Sequence, residues 1–103
     1  MVALIEHNQL ALEALCRTHR VRRLELFGSA AQGKFDPLQS DLDFLVVFEP
    51  LSPAAHADSY FGLLAALQDL FQREVDLVEA EAITNPYFKR ALVSSVRQVL
   101  YAA

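Results

Sequence analysis

A chain of 103 residues, 53% hydrophobic and 21% charged, has material for one core, read as a single domain over 1–103, and excludes a disordered segment. Its net charge of -4 and pI near 5.2 exclude the basic footprint that phosphate contacts demand, so no direct nucleic-acid partner is expected. With Cys16 as its one cysteine it can form neither an internal disulfide nor a cysteine-built zinc site, and the absence of a leader-like or bilayer-length apolar run sets the expectation of a cytoplasmic protein with no membrane contact.

The chain opens with a helical stretch from about Ala3 to His19. Leu4, Ile5, Ala11, Leu12, Leu15 and Cys16 make one apolar stripe, in which Cys16 reads as a small buried hydrophobe. Arg17, His19, Arg20, Arg22 and Arg23 then read as the solvated, basic end of that helix. From Val21 to Phe27 the pattern alternates as in a strand, Leu24 and Leu26 opposing Arg23 and Glu25, until Gly28 breaks it. Ser29 to Gly33 forms a short helix or tight turn, and Lys34 to Ser40 a loop containing Asp36-Pro37.

Asp41 to Phe48 is the second strand, closed by Glu49-Pro50 and a loop that holds Pro53. A second long helix runs from about Ala55 to Gln72, with Tyr60, Leu63, Leu64, Leu67, Leu70 and Phe71 as its inner stripe. Glu74 to Glu79 is a third strand. Asn85-Pro86 starts a last helix, asparagine as cap and proline at the first turn, with Phe88, Leu92 and Val96 inward and Val99-Leu100-Tyr101 as an apolar tail. The order implies an α/β (α+β) fold, a small mixed sheet flanked by helices.

Chemistry concentrates in two places. Gly28 allows a tight exit from the first strand and a close approach of ligand to backbone, and Ser29 follows at the start of the next turn. Together they suit an anion, such as the phosphates of a nucleotide. On the second strand Asp41 and Asp43 are two apart, so they share a face with Leu45 and Val47, while Leu42, Phe44, Val46 and Phe48 face the core. Asp76 interrupts the apolar third strand, where an unpartnered carboxylate is costly. If the two strands are neighbours, three carboxylates gather and repel unless a cation neutralises them. Hard oxygen donors favour Mg²⁺ or Mn²⁺ over zinc.

These residues resemble the nucleotidyltransferase superfamily of the DNA polymerase β type, and within it the minimal nucleotidyltransferase (MNT) group. The group's pattern is Gly-Ser-x-Ala-Arg-Gly, a variable loop, and Ser-Asp-x-Asp. Gly28, Ser29, Ala31, Gly33, Ser40, Asp41 and Asp43 match it, and Asp76 fits the third carboxylate. The resemblance implies transfer of AMP from ATP with Mg²⁺ or Mn²⁺ held by Asp41, Asp43 and Asp76. It further implies Gly28, Ser29, Gly33 and Ser40 around the phosphates, and Asp76 helping to activate the acceptor hydroxyl. It also implies a partner: MNT proteins commonly accompany a HEPN-domain toxin, silencing it by adenylylating a tyrosine, in a hetero-oligomer or as a homodimer when alone.

Gln32 departs from this pattern, which prefers arginine there. A neutral amide lacks the charge that steadies a phosphate, which lowers activity, narrows the acceptor range, or leaves the task to another cation such as Lys34. The alternative is an antitoxin that neutralises its HEPN partner by binding alone. A small-molecule adenylyltransferase of the aminoglycoside type is more distant, since that type carries an additional helical domain. His7, His19 and His56 are scattered, Ser94 and Ser95 have no acid-base partner nearby in sequence, and Tyr87, Phe88 and Tyr101 are core or edge aromatics or a partner surface.

Overall fold

The computed structural model describes residues 3–28, 41–94 and 97–103, with the backbone course alone for 91–94. Four strands form one sheet in the order β3-β2-β1-β4: β1 (Val21–Phe27), β2 (Leu42–Phe48), β3 (Val75–Glu79) and β4 (Gln98–Ala102). β1 runs antiparallel to β2 and β4, whereas β2 and β3 are parallel. The expected mixed sheet is therefore present, with a fourth strand where the sequence suggested only an apolar tail. Gln98–Ala102 is too short to declare its own period, and its partner β1 lies more than seventy residues back.

The opening helix is two helices, α1 (Ala3–His7) and α2 (Gln9–Thr18). Asn8 causes the break: its side-chain amide donates to the Leu4 carbonyl at 2.8 Å, an alternative to continuing the helix that asparagine favours. The long helix α3 (Pro53–Phe71) starts earlier than expected, because Ser52 accepts from the Ala55 amide at 3.3 Å and Pro53 takes the first helical position. Gln72 ends it in the left-handed conformation, φ 52°. A single 3₁₀ turn, Ala80–Ala82, follows β3 and was not anticipated.

One face of the sheet carries the core. Leu24, Leu26, Leu42, Phe44, Val46, Val75, Leu77 and Leu100 pack there against Ile5, Leu12 and Cys16 on one side and Leu63, Leu67 and Phe71 on the other. Phe44 and Phe71 stack at 6.0 Å between ring centroids. The predicted stripes of α2 and α3 are borne out in the main, with Ala11 exposed. Burial pushes the Cys16 thiol up to about 12, so it is a packing residue. Asn85 caps the last helix, α4 (Pro86–Ser94), accepting from the Tyr87 and Phe88 amides at 2.9 and 3.2 Å. Phe88 is exposed rather than inward, as are its neighbours from Pro86 to Arg90, while the side chains of Leu92 and Val96 lie outside the described residues.

Both edge strands have an outward carbonyl satisfied by a helix side chain. The Tyr60 hydroxyl donates to Leu77 O on β3 at 2.7 Å, and Gln9 Nε2 donates to Leu100 O on β4 at 2.9 Å. Such caps occupy groups that would otherwise template another strand. Tyr60→Phe, which removes one cap without a cavity, is expected to cost about 1 kcal/mol, or ~4–8 °C in melting temperature, measured by denaturant titration and thermal melts.

Candidate active site

The carboxylates occupy the sheet face opposite the core, and strand register brings them together. Asp43 on β2 pairs with Asp76 on the parallel strand β3 and with Phe27 on β1. Asp43 and Asp76 sit side by side on this face, and the Asp76 side chain acts directly on the Asp43 carboxyl. Desolvation first, then the Asp76 contact and charge, and last the Asp41 charge, push the Asp43 carboxyl up from 3.8 to about 6.

Asp41 is exposed and immediately precedes β2, so it belongs to the approach to the strand rather than to the ladder. Its charge is felt at Asp43. Yet among the described residues no three His, Cys, Asp or Glu side chains are gathered closely enough to hold an ion. The formed unit is thus the Asp43–Asp76 pair, with Asp41 beside it. This pair fits a hard divalent cation: its donors are carboxylate oxygens, and an ion would relieve their mutual repulsion.

Gly28 ends β1 at φ +72°, a conformation that side chains disfavour. A Cβ there would overlap Asp43 Oδ2 and lie 3.1 Å from Asp43 Cγ. The glycine predicted to admit a ligand therefore also admits the Asp43 carboxylate against the backbone. Ser29, Gly33 and Ser40, expected around the phosphates, lie outside the described residues, as do Gln32 and Lys34.

The same face holds a charged group that sequence reasoning passed over. Glu25 alternates as an outward residue of β1, yet it is 7% exposed. Arg23 holds its Oε1 at 3.1 Å through Nε and 3.0 Å through Nη2, and Arg97 Nη1 lies 3.5 Å from its Oε2. Recognising β4 in the sequence would have brought Arg97 to this face. Leu45, expected on this face, is also buried, so the face is more than a solvated surface.

Strands, glycine turn and paired carboxylates suit a nucleotidyl-transfer class of site, and the family of the chain is the matching one. A family model described as a nucleotidyltransferase domain matches residues 9–99, and the chain belongs to that family. It is 35% identical over 74 residues to a Methanocaldococcus jannaschii protein assigned as a protein adenylyltransferase, covering 72% of this chain and 71% of that one. A solved structure assigned as a minimal nucleotidyltransferase superposes with a TM-score of 0.65 at 30% identity, covering 89% of this chain and 90% of that one. In fold alone, the chain also resembles one in the complex of a tri-AMPylated Shewanella oneidensis HEPN toxin with an MNT antitoxin: TM-score 0.56, 20% identity, 95% and 72% coverage. The expected MNT resemblance and enzyme class hold. Among the described residues no helix is long and apolar enough to cross a membrane.

A raised carboxyl pKa in the folded chain has a definite sign. The fold binds the Asp43 proton more tightly than the unfolded chain, so this contribution to stability is full below about pH 4 and lost as pH rises through about 6. In EDTA, Asp43→Asn should raise stability at pH 7 by on the order of 1 kcal/mol, since water screens much of the repulsion at this partly exposed carboxylate. Unfolding titrations at pH 4.5 and 7 check this: the gain should shrink at the lower pH.

Proposed function

We propose that this protein transfers AMP from ATP to a hydroxyl of a protein partner, a tyrosine of a HEPN-domain toxin. The observation that carries the reading is the Asp43–Asp76 pairing beside Gly28, a carboxylate pair set against the glycine turn that ends β1. Similarity to a protein assigned as a protein adenylyltransferase, and in fold to an MNT antitoxin complexed with an AMPylated HEPN toxin, supports the acceptor class.

In this mechanism the acceptor oxygen attacks the α-phosphorus, the bond from that phosphorus to the bridging oxygen of the β-phosphate breaks, and pyrophosphate leaves. The hydroxyl proton passes to the Asp76 carboxylate and then to water. Asp41 and Asp43 would hold Mg²⁺ or Mn²⁺ together with Asp76, and such ions would neutralise the triphosphate and stabilise charge on the attacking and leaving oxygens. Gly28, Ser29, Gly33 and Ser40 are the residues that the family resemblance assigns to the phosphates.

Incubation with Mg²⁺-ATP and the cognate HEPN protein is expected to add AMP to a partner tyrosine, detected by intact mass and peptide mapping. Asp43→Asn should lower the rate at least 10²-fold, the scale of losing one transition-state charge stabiliser. Complex formation with no added mass would instead support neutralisation by binding alone, the reading that Gln32 keeps open. Mg²⁺-ATP should also raise the melting temperature of the wild type, since it binds the native state selectively.

A further inference from the structure

The register places four residues in one row across the sheet. Asp76, Asp43 and Phe27 are paired neighbours on β3, β2 and β1. On the far side of β1, Leu26 pairs with Gln98, and one more step of that antiparallel register sets Arg97 beside Phe27. Residues opposite one another in neighbouring strands share a face, so Arg97 belongs to the carboxylate face, as its contact with Glu25 confirms. Gly28, next to Phe27, thus lies between a carboxylate pair on one side and a guanidinium on the other.

Arg97 is two strands from Asp43, about 10 Å by interstrand spacing. That separation leaves room for a phosphate chain between a metal at the carboxylates and the arginine. Glu25 does not saturate Arg97. Arg23 already occupies Oε1 with two contacts near 3 Å, whereas Arg97 meets Oε2 at 3.5 Å, well beyond a tight charge-assisted bond. Its side chain is 37% exposed. One carboxylate serving two guanidinium groups leaves a net positive charge on this side of the face. The segment from Gly28 to Ser40 contributes a single cation, Lys34, and no arginine.

We propose that Arg97 is a phosphate-binding residue of this site, taking the β–γ end of the nucleoside triphosphate, with Glu25 and Arg23 as its positioning residues. The proposal rests on the nucleotidyl-transfer reading above. A planar guanidinium offers two parallel donors to phosphate oxygens, which a glutamine or a lysine does not reproduce. Glu25 holds the guanidinium by one oxygen, aiming its remaining donors along the row.

Isothermal titration of the full chain with Mg²⁺-ATP and, separately, with AMP tests this. Arg97→Gln should weaken ATP about ten- to a hundredfold, the scale of losing charged hydrogen bonds, and leave AMP within about twofold. Arg97→Lys should recover part of the loss. Glu25→Gln should weaken ATP by a smaller factor, since the arginine remains but is no longer aimed. Equal weakening of ATP and AMP, or unchanged ATP binding in Arg97→Gln, overturns the phosphate role and leaves the transfer reading standing. If wild-type chain binds no Mg²⁺-ATP at all, the transfer reading fails and this proposal with it. Should Arg97→Gln not fold, Arg97→Lys decides: selective loss of ATP affinity supports the role, and full retention overturns it.

Discussion

Two carboxylates forced into contact by one pair of parallel strands are the constraint on which the rest of the site depends. Asp43 and Asp76 are set side by side by backbone register, not by any preference of their own. Aspartate is a poor strand residue, and a like-charged neighbour on the same face makes the pairing worse. The sheet tolerates it because the opposite face is driven by apolar burial. Leu42, Phe44, Val46, Val75 and Leu77 fix the β2–β3 register from the core side, and a slip by one residue would expose all of them. The core thus supplies the free energy that holds an electrostatically unfavourable pair in place. A cation or a shared proton is the natural complement to such a pair. Such strain held by surrounding structure accords with the trade-off between stability and activity at functional sites.

Gly28 belongs to the same constraint. Its positive φ and its closeness to Asp43 show that the turn after β1 serves two demands at once. A larger residue would have to move Asp43 off its register partner. For that reason the glycine is needed even before a ligand is considered.

Much of this was legible in the sequence because it depends on local pattern. The two-residue spacing of Asp41 and Asp43 gives a shared face, and the apolar run around Asp76 marks a strand in which a carboxylate is out of place. Asn85-Pro86 marked the start of α4 for the same reason: a cap and a fixed φ act over one turn. What the sequence did not disclose depends on partners far along the chain. β4 is a strand only because β1 offers an edge, and without β4 there was no reason to bring Arg97 near Glu25. Asn8 was legible in principle, but one helix-competing asparagine inside a long apolar stripe is outweighed when the stripe is read as a whole. Asp41 was placed on the strand by alternation, whereas the ladder begins one residue later, with Leu42. Asp43, fixed in the sheet, lies two residues on from Asp41, which precedes the ladder.

The charge distribution explains why an acidic protein can receive a polyanion. Net charge is -4, and the carboxylates of the site add to the repulsion of an approaching triphosphate. Opposite them on the same face stand Arg23 and Arg97, sharing Glu25. Without Glu25, two guanidinium groups would repel each other. With two glutamates, their charge would be cancelled. A single buried carboxylate between two arginines holds both and leaves one positive charge over. The face is therefore polarised from β4 to β3, cationic at one margin and carboxylate-lined at the other. On the reading proposed above, a metal-bound triphosphate would have the matching polarity, with its anionic tail toward the arginines and its metal toward the aspartates. On that reading the orientation of the nucleotide, and with it the direction from which an acceptor must approach the α-phosphorus, would follow from that asymmetry across a four-stranded sheet.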